Sequence, residues 1–174
     1  MKMATSCSRR NLLALVALGG GALLAGCDRK SATAAPSGAG ASSDWSKGKG
    51  GARMLVYRDP ECGCCETWAD IARAEGYAVT VENRSDMPAV KARYGVPAEL
   101  ASCHTAIVGG YAIEGHVPMR HVAKLLTDKP QGIRGIAVPG MPRGSPGMEM
   151  PDGSVDAFEV MAFGSDGRIS EFSA

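Results

Sequence analysis

Residues 61–68 read ECGCCETW, which crowds Cys62, Cys64 and Cys65 into four positions, and a fourth thiol, Cys103, stands beside His104 in SCHT. Thiolates serve as nucleophiles, redox centres and soft metal ligands, so the spacing has to choose among these chemistries. Cys62 and Cys65 form C-x-x-C, the spacing of a dithiol that closes to a disulfide. At the start of a helix, unpaired backbone amides favour the thiolate form. Cys64 disturbs that reading, because a third thiol beside the pair would scramble it by exchange. The same thiol suits a soft metal such as Cu(I) or Zn(II).

Successive helical side chains point about 100° apart, so Cys64 and Cys65 are better arranged to bridge ions than to chelate one together. The cluster therefore suggests a polynuclear site, while a single three-coordinate Cu(I) stays open. A zinc site from Cys62, Cys65, Cys103 and His116 satisfies the usual ligand count but leaves Cys64 without a role. His116, in GGYAIEGHVP, is an even choice between ligand and packing residue. His121 reads as a solvated helix residue and Trp68 as core. The segment VPGMPRGSPGMEMP, residues 138–151, offers thioethers at Met141, Met148 and Met150. Methionine sulfur is a soft copper ligand, and it equally caps apolar surfaces.

Something has to hold these residues together. The run MLVY at 54–57 suits a buried strand, ended by Asp59-Pro60. Residues 64–74 follow as a helix closed by Gly76, and 77–82 alternate as a second strand. A second helix is expected over 87–94, ended by Gly95. Residues 105–108 and 111–114 flank Gly109-Gly110, a hairpin signal. Residues 118–126 read as a third helix with proline in its first turn, and 158–163 with 168–172 as a closing hairpin. The order β-α-β-α-β-β-α fits an α/β, thioredoxin-like fold, a mixed sheet flanked by helices. The cysteines then lie at the carboxyl end of the first strand, where such folds bind ligands. The segment opening the third strand usually carries a cis-proline facing the cysteine turn, and here Cys103 and His104 stand there. The 138–151 loop, rich in Pro, Gly and Met, is expected to be neither helix nor strand.

The compartment follows from the N-terminus. Lys2, Arg9 and Arg10 precede an uncharged apolar stretch too short and glycine-rich for a membrane span, so 1–26 read as an export signal. Ser8-Arg9-Arg10-Asn11-Leu12-Leu13 resembles a twin-arginine signal. Leu24-Ala25-Gly26-Cys27 resembles a bacterial lipobox, which makes Cys27 a lipidated mature N-terminus anchored in the membrane. Asp28 then points to retention at the periplasmic face of the inner membrane. Residues 27–51 are an anchor and a flexible Gly/Ser tether, and 52–174 form one metal-binding domain. Cleavage removes the three signal charges and turns a net charge of +1 slightly negative. No basic run points to nucleic acid. No Ser/His/Asp arrangement, phosphate-binding glycine loop or paired carboxylate site offers a rival enzyme class.

YRDPECGCCETW, YGVPAELASCHTAIVGGYAIEGHVP and GIAVPGMPRGSPGME together resemble the CopG-like family of periplasmic copper-resistance proteins, over about residues 54–172. The resemblance implies a thioredoxin-like fold and copper, Cu(I) or Cu(II), in one or several sulfur-bridged ions. Carried over motif by motif, it implies Cys62, Cys64, Cys65, Cys103 and His104 as ligands, then His116, with Met141 and Met148 outside them. It also implies redox interconversion of copper during tolerance. The expectation is thus an exported copper-binding protein. The alternatives are a thiol–disulfide oxidoreductase using Cys62 and Cys65 with Cys103 as resolving thiol, and a delivery factor for another exported, copper-handling protein.

Overall fold

The computed structural model describes residues 51–174. The export signal, Cys27 and the tether up to residue 50 lie outside the described residues. The elements are β1 (Arg53–Arg58), α1 (Gly63–Ala74), β2 (Ala78–Asn83), α2 (Met87–Tyr94), a 3-10 turn (Ala98–Leu100), β3 (His104–Val108), β4 (Tyr111–Glu114), α3 (Met119–Asp128), β5 (Ile133–Ala137), β6 (Met161–Gly164) and β7 (Ile169–Glu171). None of the described helices is long and apolar enough to cross a membrane.

The strands form one mixed seven-stranded sheet in the order β2-β1-β3-β4-β5-β6-β7. β1 pairs with β2 and β4 with β5 in parallel, and the remaining pairs are antiparallel. The expected order β-α-β-α-β-β-α is therefore present, and the sheet continues beyond it. β5 was not foreseen. Its sequence, IRGIA, is short and carries Gly135, where a Cβ would meet the Ala112 carbonyl oxygen at 2.1 Å and the Phe163 ring at 2.5 Å. Glycine there permits close approach of β4 and β6, but in sequence it weakens the strand pattern.

Period-two alternation divides the buried residues between the two faces of the sheet. Met54 and Val56 of β1, Ala106 and Val108 of β3, and Ile113 of β4 pack with Trp68 and Ala72 of α1 and with Val122 and Leu125 of α3. Tyr57, Ile107 and Ala112 turn the other way, towards Met87 and Val90 of α2. His104 shares its face with Ala106, so it meets Trp68 of α1, with ring centroids 4.6 Å apart. Thr105 and Glu114 share theirs with Ile107 and Ala112, so they meet α2. One strand register thus sends neighbouring residues into two different environments.

Helix boundaries follow local chemistry. Gly95 ends α2 at φ 69°, a left-handed conformation that glycine adopts without steric cost. α3 begins one residue after Pro118 and runs two residues beyond its expected end. His121 on this helix is buried, only 7% exposed, which corrects the expectation of a solvated residue. Its ring packs near Phe172, with centroids 6.4 Å apart, because the closing hairpin covers that side of α3.

Candidate metal centre

The site forms where β1 hands the chain to α1, beside the start of β3. Arg58, the last residue of β1, is paired in register with His104, the first of β3. The turn leaving β1 is thereby set against Cys103. Asp59 Oδ1 accepts the Glu61 amide at 2.9 Å and its carbonyl accepts the Cys62 amide at 3.0 Å. Cys62 occupies the N-cap of α1 in an extended conformation, while Cys64 and Cys65 lie in the first helical turn. Because Cys62 is not helical, a uniform angular step does not describe the trio. The Sγ atoms of Cys62, Cys64, Cys65 and Cys103 all lie within 4.8 Å of one another.

Cys62 and Cys65 are joined by a disulfide, with Cα atoms 5.5 Å apart, and Cys64 and Cys103 are free. The Cys64 sulfur lies 3.6 Å from that of Cys62. Arg58 holds this turn from below. Its guanidinium donates to the carbonyl oxygens of Asp59, Pro60 and Cys62, the last at 2.8 Å, and pairs with Glu66 at 3.2 Å.

The second group of donors is Cys103, His104 and His116, also within 4.8 Å of one another. Cys103 Sγ is 3.3 Å from His104 Nδ1 and 3.0 Å from His116 Nε2. His116 Nδ1 lies 2.8 Å from the Pro146 carbonyl oxygen. A carbonyl only accepts, so Nδ1 carries the proton and Nε2 presents a lone pair towards Cys103. A histidine with one nitrogen tied to a backbone carbonyl and the other presenting its lone pair is the arrangement metal sites use; here the Cys103 thiol faces that lone pair. His104 is fully buried, and its Nε2 has no hydrogen-bond partner. The two imidazoles meet edge-on at 5.1 Å.

Burial shapes the protonation of these groups. Desolvation pushes the Cys103 thiol up to about 12, with a further push from neighbouring Cys64. Desolvation also drives His104 well below the ordinary histidine range, and His116 and Lys91 act in the same direction. His116 is lowered by burial too, partly offset by its bond to Pro146. Without metal, Cys103, His104 and His116 are thus uncharged at neutral pH, with the Cys103 thiol donating to the His116 imidazole. A thiol whose folded pKa is raised contributes stability below its unfolded value and loses it as pH rises towards the folded one. The metal-free protein with the disulfide closed should therefore lose stability between about pH 9 and 12. Burial also raises Tyr57 to about 12, so the comparison is with Cys103→Ser: thermal denaturation across this window should fall less steeply in that variant. Parallel curves would contradict the Cys103 assignment.

The 138–151 loop contains no helix or strand, only a bridge between Gly140 and Ser102. It reaches the cluster through its backbone. Pro146 provides the acceptor for His116, and Gly147, at φ 83°, lies against α1, where a Cβ would sit 3.0 Å from the Trp68 nitrogen and 3.1 Å from the Cys64 carbonyl oxygen. Met148 is half-buried, whereas Met141 is 55% and Met150 37% exposed. Of the expected residues, the structure brings together Cys62, Cys64, Cys65, Cys103, His104 and His116. Sequence reasoning missed Arg58 and the Pro146 carbonyl, since a backbone acceptor has no residue signature.

The donor set fits a soft metal. Four sulfurs and two imidazoles converge, one imidazole nitrogen is buried without a partner, and another is already in the tautomer that ligation needs. Comparisons with known proteins agree. A family described as "Protein of unknown function, DUF411" matches residues 100–148. A solved structure of a copper resistance protein CopG, form 1, is 44% identical; the match covers 70% of this chain and 94% of that one, with a TM-score of 0.65. Form 2 is 43% identical over 70% and 95% of the two chains, at the same TM-score. No curated protein matches the chain.

Proposed function

The chain belongs to the CopG-like family of copper-resistance proteins, and from that premise we propose that it is an exported copper-binding protein of copper tolerance. With the Cys62–Cys65 pair reduced it holds Cu(I) through Cys62, Cys64, Cys65, Cys103, His104 and His116, and it interconverts Cu(I) and Cu(II). The observation that carries this reading is the position of Cys103, which belongs to both groups of donors and so joins the thiol cluster to the imidazoles. Thiolates favour Cu(I), and imidazoles also accommodate Cu(II). Met141 and Met148 are kept as outer candidates on the covering loop. Lipidation at Cys27 and residence at the periplasmic face of the inner membrane are part of the proposal.

The redox step balances with the residues present. Reduction of two Cu(II) to two Cu(I) takes two electrons, supplied as Cys62 and Cys65 lose two protons and form one S–S bond, which leaves Cys64, Cys103, His104 and His116 as the donors to the Cu(I) formed. The reverse step opens the disulfide, with uptake of two protons, as two Cu(I) are oxidised. This assigns both states of the C-x-x-C pair a place in one cycle.

The closed Cys62–Cys65 disulfide also supports a second reading, a thiol–disulfide oxidoreductase in which copper plays no part. Cys64 separates the two. Anaerobic loading of the reduced protein with Cu(I), followed by desalting and metal analysis, should give two or more coppers per chain in the wild type and fewer in Cys64→Ser. If copper washes out of both proteins while the disulfide shows a defined potential, the metal reading fails and the oxidoreductase stands.

A further inference from the structure

Glu114 is the last residue of β4 and is completely buried, a position carboxylates rarely occupy without a partner. Three groups surround it. Lys91 of α2 donates to Oε1 at 2.5 Å, the backbone amide of Ser102 donates to the same oxygen at 2.7 Å, and Thr105 Oγ1 donates to Oε2 at 2.6 Å. Lys91 Nζ also reaches Thr105 Oγ1, at 3.3 Å, and its side chain is 14% exposed. A buried ion pair of this kind contributes little net stability compared with apolar residues of similar volume. Its role is better sought in what it holds.

What it holds is the approach to the metal centre. Ser102 precedes Cys103 directly, so the Glu114 carboxylate fixes the backbone from which the Cys103 thiol projects. The Ser102 hydroxyl donates to the Gly140 carbonyl, tying the same residue to the loop that presents Pro146 to His116. On the other side, Gly115 donates its amide to the His104 carbonyl at 2.9 Å and leads into His116. A Cβ on Gly115, whose φ is 70°, would lie within 2.5 Å of the Ser102 side chain. Glu114 thus stands between the segments carrying Cys103–His104 and His116, and it bonds to the one that has the least regular structure. The strand alternation explains why it stays off the metal itself: it faces α2, while His104 faces α1.

We propose that Glu114, with Lys91 as its counter-charge, is the positioning residue that sets Cys103 against His116 and the thiol cluster. The inference rests on the copper reading for its consequence, but the positioning itself is testable without copper. Single replacements would leave a buried charge unpaired and unfold the site for trivial reasons. The informative comparison is therefore between two double variants. Lys91→Met with Glu114→Leu removes both charges and the acceptor for Ser102. Lys91→Met with Glu114→Gln removes both charges but keeps an amide oxygen for that bond.

The first readout is the alkylation rate of Cys103 in the reduced, metal-free protein, mapped by peptide mass spectrometry. Freed from its anchor, Cys103 should react roughly tenfold faster in the leucine variant, since local opening governs access. The glutamine variant should return to within about twofold of the wild type. The second readout is Cu(I) affinity by competition with a chelator. Loss of an outer-shell anchor should weaken it about 10–100-fold in the leucine variant, with recovery in the glutamine variant. Equal alkylation in all three proteins, or equal disturbance in both variants, overturns the positioning role. A wild type that holds no copper overturns the copper reading, and the alkylation series still decides the role of Glu114.

Discussion

Replacing Cys103 with serine should lower Cu(I) affinity by more than the roughly 100-fold that loss of an outer partner can cost. The expected loss exceeds that from any other single replacement in the site. The reason is geometric. Cys103 is the member shared by the all-cysteine group and the Cys103–His104–His116 group. Removing it takes one sulfur from the first and breaks the second, whose imidazoles approach the same sulfur at 3.3 and 3.0 Å. Serine fills nearly the same space, and its hydroxyl can donate to His116 Nε2 as the thiol does. It does not ionise near neutral pH and is a poor partner for a soft ion. The fold should therefore survive while the metal is lost, a contrast checked by circular dichroism beside chelator competition. Wild-type affinity in Cys103→Ser would remove the observation on which the copper assignment stands.

The sequence carried the donors better than it carried their support. Cys62, Cys64, Cys65, Cys103 and His104 stood out because thiols so close together have few structural uses, and the structure gathers them as the fold order implied. Cys62 sits at the helix cap, where the chain is still extended, so the helical step between Cys64 and Cys65 does not carry over to it. β5 was illegible because Gly135 interrupts its pattern to let neighbouring strands approach. His121 looked exposed because the closing hairpin that covers α3 lies far away in sequence. Arg58 and Glu114 were invisible for a related reason. A charged residue at a strand end reads as a solvated one until the sheet register shows what it faces. The Pro146 carbonyl belongs to a loop whose methionines drew attention, yet the loop meets the site through its backbone.

Copper loading should depend almost entirely on the state of the Cys62–Cys65 pair. With the disulfide closed, as here, two sulfurs are withdrawn as thiolates and only Cys64, Cys103, His104 and His116 remain to hold an ion. Binding must then also displace the Cys103 proton, which burial holds with a pKa of about 12. Opening the pair restores two thiolates at the amide-rich start of α1, where negative charge is favoured. Protein loaded with Cu(I) after reduction by a phosphine, which is then removed, should retain at least about twice the copper of protein loaded in the oxidised state, and hold it on the order of 100-fold more tightly. Alkylation offers the matching covalent record. Among the described cysteines, oxidised protein should take label at Cys64 and Cys103 alone, and reduced protein at all four. Reduced, copper-loaded protein should be labelled slowly at each. If oxidised and reduced protein bind copper equally well, the disulfide lies outside the copper site's chemistry. In that case the redox cycle proposed for Cys62 and Cys65 is wrong even if copper binding is real.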